Sequence, residues 1–202
     1  MAPFAFQRVH YPANRLHFSA WIPVMRRLRW LLVLILCTGL IAPAFAADEP
    51  AGLQVGQEAP AFRLEDQNGK WVTPADFHGH YLVMYFYPKD FTPGCTTEVC
   101  TFRDDIAKLR KAGAGVVGVS LDDVKSHAEF AAKYHVPFPL LADSDLSVST
   151  TYGVLKSGSH YAKRTTFLID PQGKIAKIYE DVDPEKNSGQ VMSDLAALKV
   201  AP

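Results

Sequence analysis

The chain of 202 residues, 48% hydrophobic with 13 Gly and 14 Pro, can bury one substantial core and has the composition of a globular protein. Its formal net charge is zero, but the first 46 residues hold five Arg and no Asp, Glu or Lys, which leaves 16 basic residues against 21 acidic ones in the remainder. A body with about five net negative charges and no cluster of Lys and Arg excludes nucleic acid as a partner, because phosphate binding needs such clusters.

In chain order, the first feature is a leader with the three parts of a secretory signal peptide: cationic MRRLRW from Met25, apolar LLVLILCTGLIA from Leu31, and small-residue PAFA ending at Ala46. Ala44 and Ala46 form an A-x-A cleavage pattern, and the apolar run meets Pro43 after 12 residues, short of the ~20 that a spanning helix needs. Residues 1–46 are therefore expected to be an N-terminal extension with a signal peptide, Met25 being a second candidate start, and 47–202 a single exported domain with no stable membrane insertion. Cys37 lies in the apolar part of the leader and is expected to play no role. The domain then keeps two cysteines, Cys95 and Cys100, and export to an oxidising compartment permits a disulfide between them.

After a Gly- and Pro-punctuated entry from Gly52 to Pro60, the runs FRLED and KWVTP flank Gln67-Asn68-Gly69, a strong hairpin signal. The apolar run Tyr81–Tyr87 reads as a central strand ending at Pro88, and Val99, Phe102, Ile106 and Leu109 mark the buried stripe of a following helix. Val116–Asp122 reads as the next buried strand. A helix follows, capped by Asp122 or Asp123, with Val124, Phe130, Ala131 and Tyr134 among its apolar positions. Pro137–Ala142 predicts a short strand, and Ser144 is expected to cap a brief helix through Thr151 that ends at Gly153. Thr165–Asp170 and Lys174–Glu180 bracket Pro171-Gln172-Gly173 as a second hairpin, and Val191, Leu195 and Leu198 space a final helix from about Ser188. This order predicts an α/β domain: a mixed central sheet with helices on both faces, preceded by a hairpin.

The chemistry concentrates in Tyr87–Asp105, YPKDFTPGCTTEVCTFRDD. Thr92 is a good N-cap and Pro93 a favoured first helical residue, so Cys95 falls in the first turn of a helix. A thiol there meets unpaired backbone N–H groups and the positive end of the helix dipole, which favour a thiolate and make Cys95 the candidate nucleophile. Cys100 is five positions on in the same helix. An intact helix separates their Cα atoms by ~8.5 Å, beyond the ~7 Å limit for a disulfide. The pair admits three roles, a structural bridge, metal ligands or a redox couple, and the spacing favours the last, since a couple can use helix unwinding as a step of its cycle.

Other signals have plainer readings. Gly113, Gly115 and Gly118 spell G-x-G-x-x-G, but the copy follows a helix and runs into a strand, the reverse of a dinucleotide fingerprint, and reads as a helix stop. His78 and His80 flank Gly79 with no third ligand at metal spacing and read as solvated loop residues. Glu98 is expected to complement the helix N-terminus, and Tyr85 and Tyr87 to pack rather than recognise.

PKDFTPGC resembles the P-x-x-x-T-x-x-C active-site motif of peroxiredoxins, and the second Cys five residues later resembles the PrxQ or bacterioferritin comigratory protein subfamily. The resemblance runs from VGQEAPAFRLED near Val55 to the final helix and includes GVSLDD and RTTFLID. It implies a thioredoxin-like fold, peroxide reduction with no metal or organic cofactor, electrons from thioredoxin or a related dithiol protein, and a monomer or a dimer. By the same resemblance Cys95 matches the peroxidatic cysteine, Cys100 the resolving cysteine, Thr92 the hydroxyl that bonds thiolate and peroxide, Pro88 the ring that shields the pocket, and Arg164 the active-site arginine. Phe91 adds an aromatic where the motif leaves choice. The leader is unusual for this group and implies an exported, periplasmic setting. Two rivals share parts of this pattern: a thiol-disulfide oxidoreductase, which normally uses C-x-x-C, and a non-catalytic exported binding module with a stabilising bridge.

Overall fold

The computed structural model describes residues 52–155, 158 and 160–200; the leader, Cys37 and the boundary at 46/47 lie outside the described residues. Its seven strands are β1 (Leu64–Asp66), β2 (Trp71–Val72), β3 (Tyr81–Phe86), β4 (Ala114–Ser120), β5 (Leu140–Ala142), β6 (Thr165–Ile169) and β7 (Ile175–Glu180). They form one sheet in the order β2-β1-β5-β4-β3-β6-β7. β3, β4 and β5 run parallel, and the remaining pairings are antiparallel. Helices α1 (Pro93–Lys111), α2 (Val124–Tyr134), α3 (Ser147–Thr151) and α4 (Asn187–Val200) complete the fold. The expected mixed sheet and both hairpins are present; Asn68-Gly69 turns β1 into β2, with Gly69 at φ 72.

Alternation along β3 divides the core in two. Val83 and Tyr85 face one layer with Phe102 and Leu109 of α1, Phe130 of α2 and Val191 and Leu195 of α4. Leu82, Met84 and Phe86 face the other, with Val148 of α3, Tyr152, Phe62 and Phe167. Helices thus cover both faces unequally: the three long ones share one side, while α3, a 3-10 turn at Pro74–Phe77 and the entry segment cover the other. Tyr85 and Tyr87 are packing residues, 1% exposed each.

The glycine triplet stops α1 and then serves packing. Gly113 adopts φ 69 just past the helix, and a Cβ on Gly118 would meet the Tyr85 ring at 2.7 Å and Leu140 at 2.9 Å. Three expectations need correction. α3 is capped by Asp143, not Ser144: its carboxylate accepts from the backbone N–H groups of Val148 and Ser149 at 3.1 and 2.7 Å. Leu198 is 37% exposed and lies off the buried stripe of α4. The strand predicted over 137–142 begins only at Leu140, although the Pro139 carbonyl already accepts from Gly118 N–H. Among the described residues no helix is long and apolar enough to cross a membrane, and no His, Cys, Asp and Glu cluster could hold a metal ion.

Candidate active site

β3 ends where Tyr87 passes into the loop 88–92 and α1 begins at Pro93. That places the start of α1 at the carboxyl end of the parallel strands, the usual location of sites in such sheets. Thr92 occupies the N-cap position with φ −76 and ψ 150. Its hydroxyl does not cap the helix but donates to the Lys89 carbonyl at 2.9 Å, closing the loop on itself. The Thr92 carbonyl accepts the first helical bond, from Thr96 N–H at 2.9 Å. Cys95 sits in that first turn, 2% exposed.

The partner of Cys95 comes from far along the chain. β6 pairs antiparallel with β3, with Thr165 opposite Phe86. Arg164, one residue earlier, is thereby carried level with the end of β3. Its Nη2–H donates to Cys95 Sγ at 3.3 Å, a charge-assisted contact that holds a negative sulfur better than a neutral one. Gly94 leaves room for this, since a Cβ there would stand 3.3 Å from Arg164 Nη2 and 3.6 Å from Pro184 Cγ.

Arg164 Nη1 pairs with Glu98 Oε2. Glu98, expected to complement the helix N-terminus, is fully buried, lies beyond the first turn and serves this ion pair instead. Asn187, the first residue of α4, donates to Glu98 Oε1 at 3.3 Å and to Thr166 Oγ1 at 2.6 Å. Burial pushes the Glu98 carboxyl up to about 7, against the downward pull of Arg164 and Asn187. Burial pulls the Arg164 guanidinium down, yet Glu98 and Cys95 more than offset it and leave it above its ordinary value. Near neutral pH, Glu98 therefore exchanges its proton, and the guanidinium is shared between its carboxyl and the sulfur.

The structure brings Cys95, Arg164 and, unforeseen, Glu98 and Asn187 together, with Thr92 heading the same turn. Cys100 stays apart: both cysteines are free, Cys95 buried and Cys100 half-buried, in a helix that runs unbroken from Pro93 to Lys111. Pro88 is half-buried at the end of β3. Phe91 is 43% exposed and leans on Phe130, ring centroids 5.0 Å apart. A cavity of about 240 Å³, lined by Phe62, Phe77, Leu82, Tyr152 and Ile169, belongs to the opposite face of the sheet.

Residues 55–178 match the AhpC/TSA family. The chain belongs to the AhpC/TSA family. Within it, similar proteins include peroxiredoxins of the Bcp and Q kinds. Peroxiredoxin Bcp of Bacillus subtilis (strain 168) is 36% identical over 149 residues, 71% of this chain and 95% of that protein. The chloroplastic peroxiredoxin Q of Oryza sativa subsp. japonica is 43% identical over 145 residues, 71% of this chain and 67% of that protein. A solved structure of the Xanthomonas campestris bacterioferritin comigratory protein, described for its alkyl peroxide reduction activity, superposes with a TM-score of 0.66 at 36% identity and covers 71% of this chain and 98% of that one. This member of the AhpC/TSA family is thus a peroxiredoxin with the corresponding thioredoxin-like fold.

The Glu98 carboxyl makes one expectation specific. Its folded value, about 7, lies above the ordinary 4.5. The protonated form is the one the fold favours, so its stabilisation is complete below about pH 4.5 and is lost as pH rises through about 7. At about 1.4 kcal/mol per unit this amounts to about 3 kcal/mol. Glu98→Gln removes that titration, so the stability difference between variant and wild type should change between pH 4.5 and 7.5 and be level above it. Urea unfolding of both proteins across that range measures it; parallel curves would show that Glu98 does not titrate there.

Proposed function

We propose that Cys95 is the nucleophile of a thiol peroxidase acting on hydrogen peroxide and organic hydroperoxides, with Cys100 as the thiol that closes the cycle. The observation that carries this is the guanidinium of Arg164 set 3.3 Å from Cys95 Sγ in the first turn of α1. The Cys95 thiolate attacks the terminal oxygen of the peroxide along the O–O bond. An S–O bond forms, the O–O bond breaks, and the departing hydroxide or alkoxide takes a proton to leave as water or alcohol. Sulfur is oxidised by two electrons and the peroxide reduced by two. Arg164 and the free N–H groups of the turn hold the charge that develops on both oxygens, joined by Thr92 once its hydroxyl turns from the Lys89 carbonyl to the peroxide, while Pro88 closes one side.

The sulfur of Cys100 then attacks the sulfenic sulfur, the S–O bond breaks, the hydroxyl takes the proton that the Cys100 thiol gives up and leaves as water, and a Cys95–Cys100 disulfide forms. Because an intact helix keeps their Cα atoms ~8.5 Å apart, α1 must unwind between them first. Thioredoxin or a related dithiol protein returns both thiols by exchange. The leader composition supports export and a periplasmic site of action, which secretion of a reporter fused to residues 1–50 tests. A thiol-disulfide oxidoreductase fits less well, since four residues separate the cysteines.

Stopped-flow mixing with hydrogen peroxide tests the assignment. The wild type should consume peroxide repeatedly with thioredoxin and its reductase. Cys100→Ser should consume one equivalent, accumulate sulfenic acid that a dimedone probe captures, and stop. Unchanged steady turnover of Cys100→Ser with thioredoxin would remove Cys100 from its role. A reaction no faster than that of a free thiol would remove the peroxidase assignment altogether.

A further inference from the structure

A second buried network lies behind the loop that precedes Cys95, and the peroxide chemistry has not drawn on it. Asp90, 3% exposed, stands two residues before Thr92. Its Oδ1 accepts from the Tyr87 hydroxyl at 2.8 Å. Its Oδ2 accepts from the Ser126 hydroxyl at 2.7 Å and lies 2.8 Å from His127 Nδ1. Its backbone N–H donates at 2.9 Å to Asp122 Oδ2, itself held by the Ser120 hydroxyl. His127 is fully buried on α2, and its Nε2 faces the Leu141 carbonyl of β5 at 3.1 Å.

The chemistry of those partners is restrictive. A carbonyl oxygen and a carboxylate oxygen are both acceptors, and each ring nitrogen of His127 faces one of them. Burying such a pair adds little to net stability compared with apolar packing, so its clearest use is to fix geometry. The geometry fixed here is strained. Phe91, next to Asp90, adopts φ 60, a left-handed conformation that an aromatic side chain disfavours and that persists only where its surroundings over-determine it. Those surroundings come from α2 twice: His127 and Ser126 grip Asp90, and Phe130 receives the Phe91 ring. Thr92 and the first turn of α1 follow directly.

We propose, on the footing that Cys95 is the peroxide-reactive thiol, that His127 is a positioning residue of that reaction. Acting through Asp90, it fixes the 88–92 loop so that Thr92 and the N-terminal turn of α1 meet the peroxide in register with Cys95. It touches neither sulfur nor peroxide. The step it serves is attack on peroxide. The later condensation with Cys100, which requires α1 to leave this geometry, is outside its reach.

Paired amide substitutions test this. In His127→Asn the amide nitrogen can stand where Nδ1 did and still donate to Asp90; in His127→Gln it reaches toward Leu141 and Asp90 is left without it. The second-order rate of Cys95 oxidation should fall tenfold or more in His127→Gln and stay within threefold of wild type in His127→Asn. Disulfide formation after a single peroxide pulse should change less than twofold in both. Equal oxidation rates in the two variants, or an unchanged rate in His127→Gln, would overturn the proposal, as would equal slowing of both steps. Should His127→Gln not fold, Tyr87→Phe carries the test by removing only the hydroxyl that Asp90 Oδ1 accepts from. A threefold or greater fall in its oxidation rate supports the proposal and a smaller one overturns it. Wild-type protein that fails to react with peroxide sinks the Cys95 assignment instead, so the two failures are distinguishable.

Discussion

Cys95→Ser is expected to abolish peroxide turnover while leaving the protein folded. Replacing sulfur with oxygen in a side chain 2% exposed alters little volume, so the circular dichroism spectrum and the unfolding midpoint should stay close to those of the wild type. A serine hydroxyl, however, is not ionised near neutral pH, and the Arg164 guanidinium that donates to this position cannot take its proton. Peroxide consumption should fall on the order of 10⁴-fold or more, the scale on which loss of a covalent nucleophile acts. Cys100 does not substitute: it is half-buried in the second turn of α1 and has no helix N-terminus beside it. Coupled thioredoxin oxidation followed by absorbance reads the loss directly. Residual activity within tenfold of wild type would transfer the nucleophile to Cys100.

Arg164→Gln is expected to lower the second-order rate of peroxide reduction by about 10² to 10³, the cost of removing one donor aimed at developing charge. Two contacts are lost together, Nη2 to Cys95 Sγ and Nη1 to Glu98. Glu98 then has only Asn187 to hold its charge and stays protonated at neutral pH, which lets the variant fold. Arg164→Lys should recover less than a tenth of the lost rate, because one ammonium cannot reach two targets as a planar fork does. Full recovery with Lys would reduce the role of Arg164 to simple charge. A double-mutant cycle with Glu98→Gln completes the test: if Glu98 acts by steadying the guanidinium, its substitution should change little once Arg164 is already Gln.

Local signals were legible where the chain makes local structure. Asn68-Gly69 announced its hairpin, Thr92-Pro93 announced the start of α1 and so the environment of Cys95, and the reversed glycine triplet announced a helix stop. The motif also marked Arg164, but not how it arrives: the antiparallel register of β6 on β3 brings residue 164 to residue 95, and no pattern within either segment states that register. Glu98 was read from the helix dipole alone, although Cys95, Glu98, Val99 and Phe102 follow helical spacing and set an acid on the buried face. That acid, with an arginine opening an apolar strand, was the available signal. Asp90 and His127 are each unremarkable in sequence, and only the packing of α2 against the loop joins them. Ser144 and Asp143 are both competent caps; α3 starts late enough, after Leu146 at φ 66, for the carboxylate rather than the hydroxyl to reach its N–H groups.

Glu98 lies between the two cysteines on α1, so no bond can join their sulfurs without disturbing the turn that seats it. Peeling that turn open draws a carboxylate away from Arg164 and Asn187 and exposes backbone that had been sealed. On the proposed cycle the oxidised enzyme should therefore be a looser object than the reduced one around residues 94–101, more open to proteases and to deuterium, so that its electron donor would meet an unfurled segment rather than a rigid groove. If Cys95 and Cys100 act as proposed, catalysis and local order would alternate in this protein, each oxidation loosening a little of the fold and each reduction restoring it.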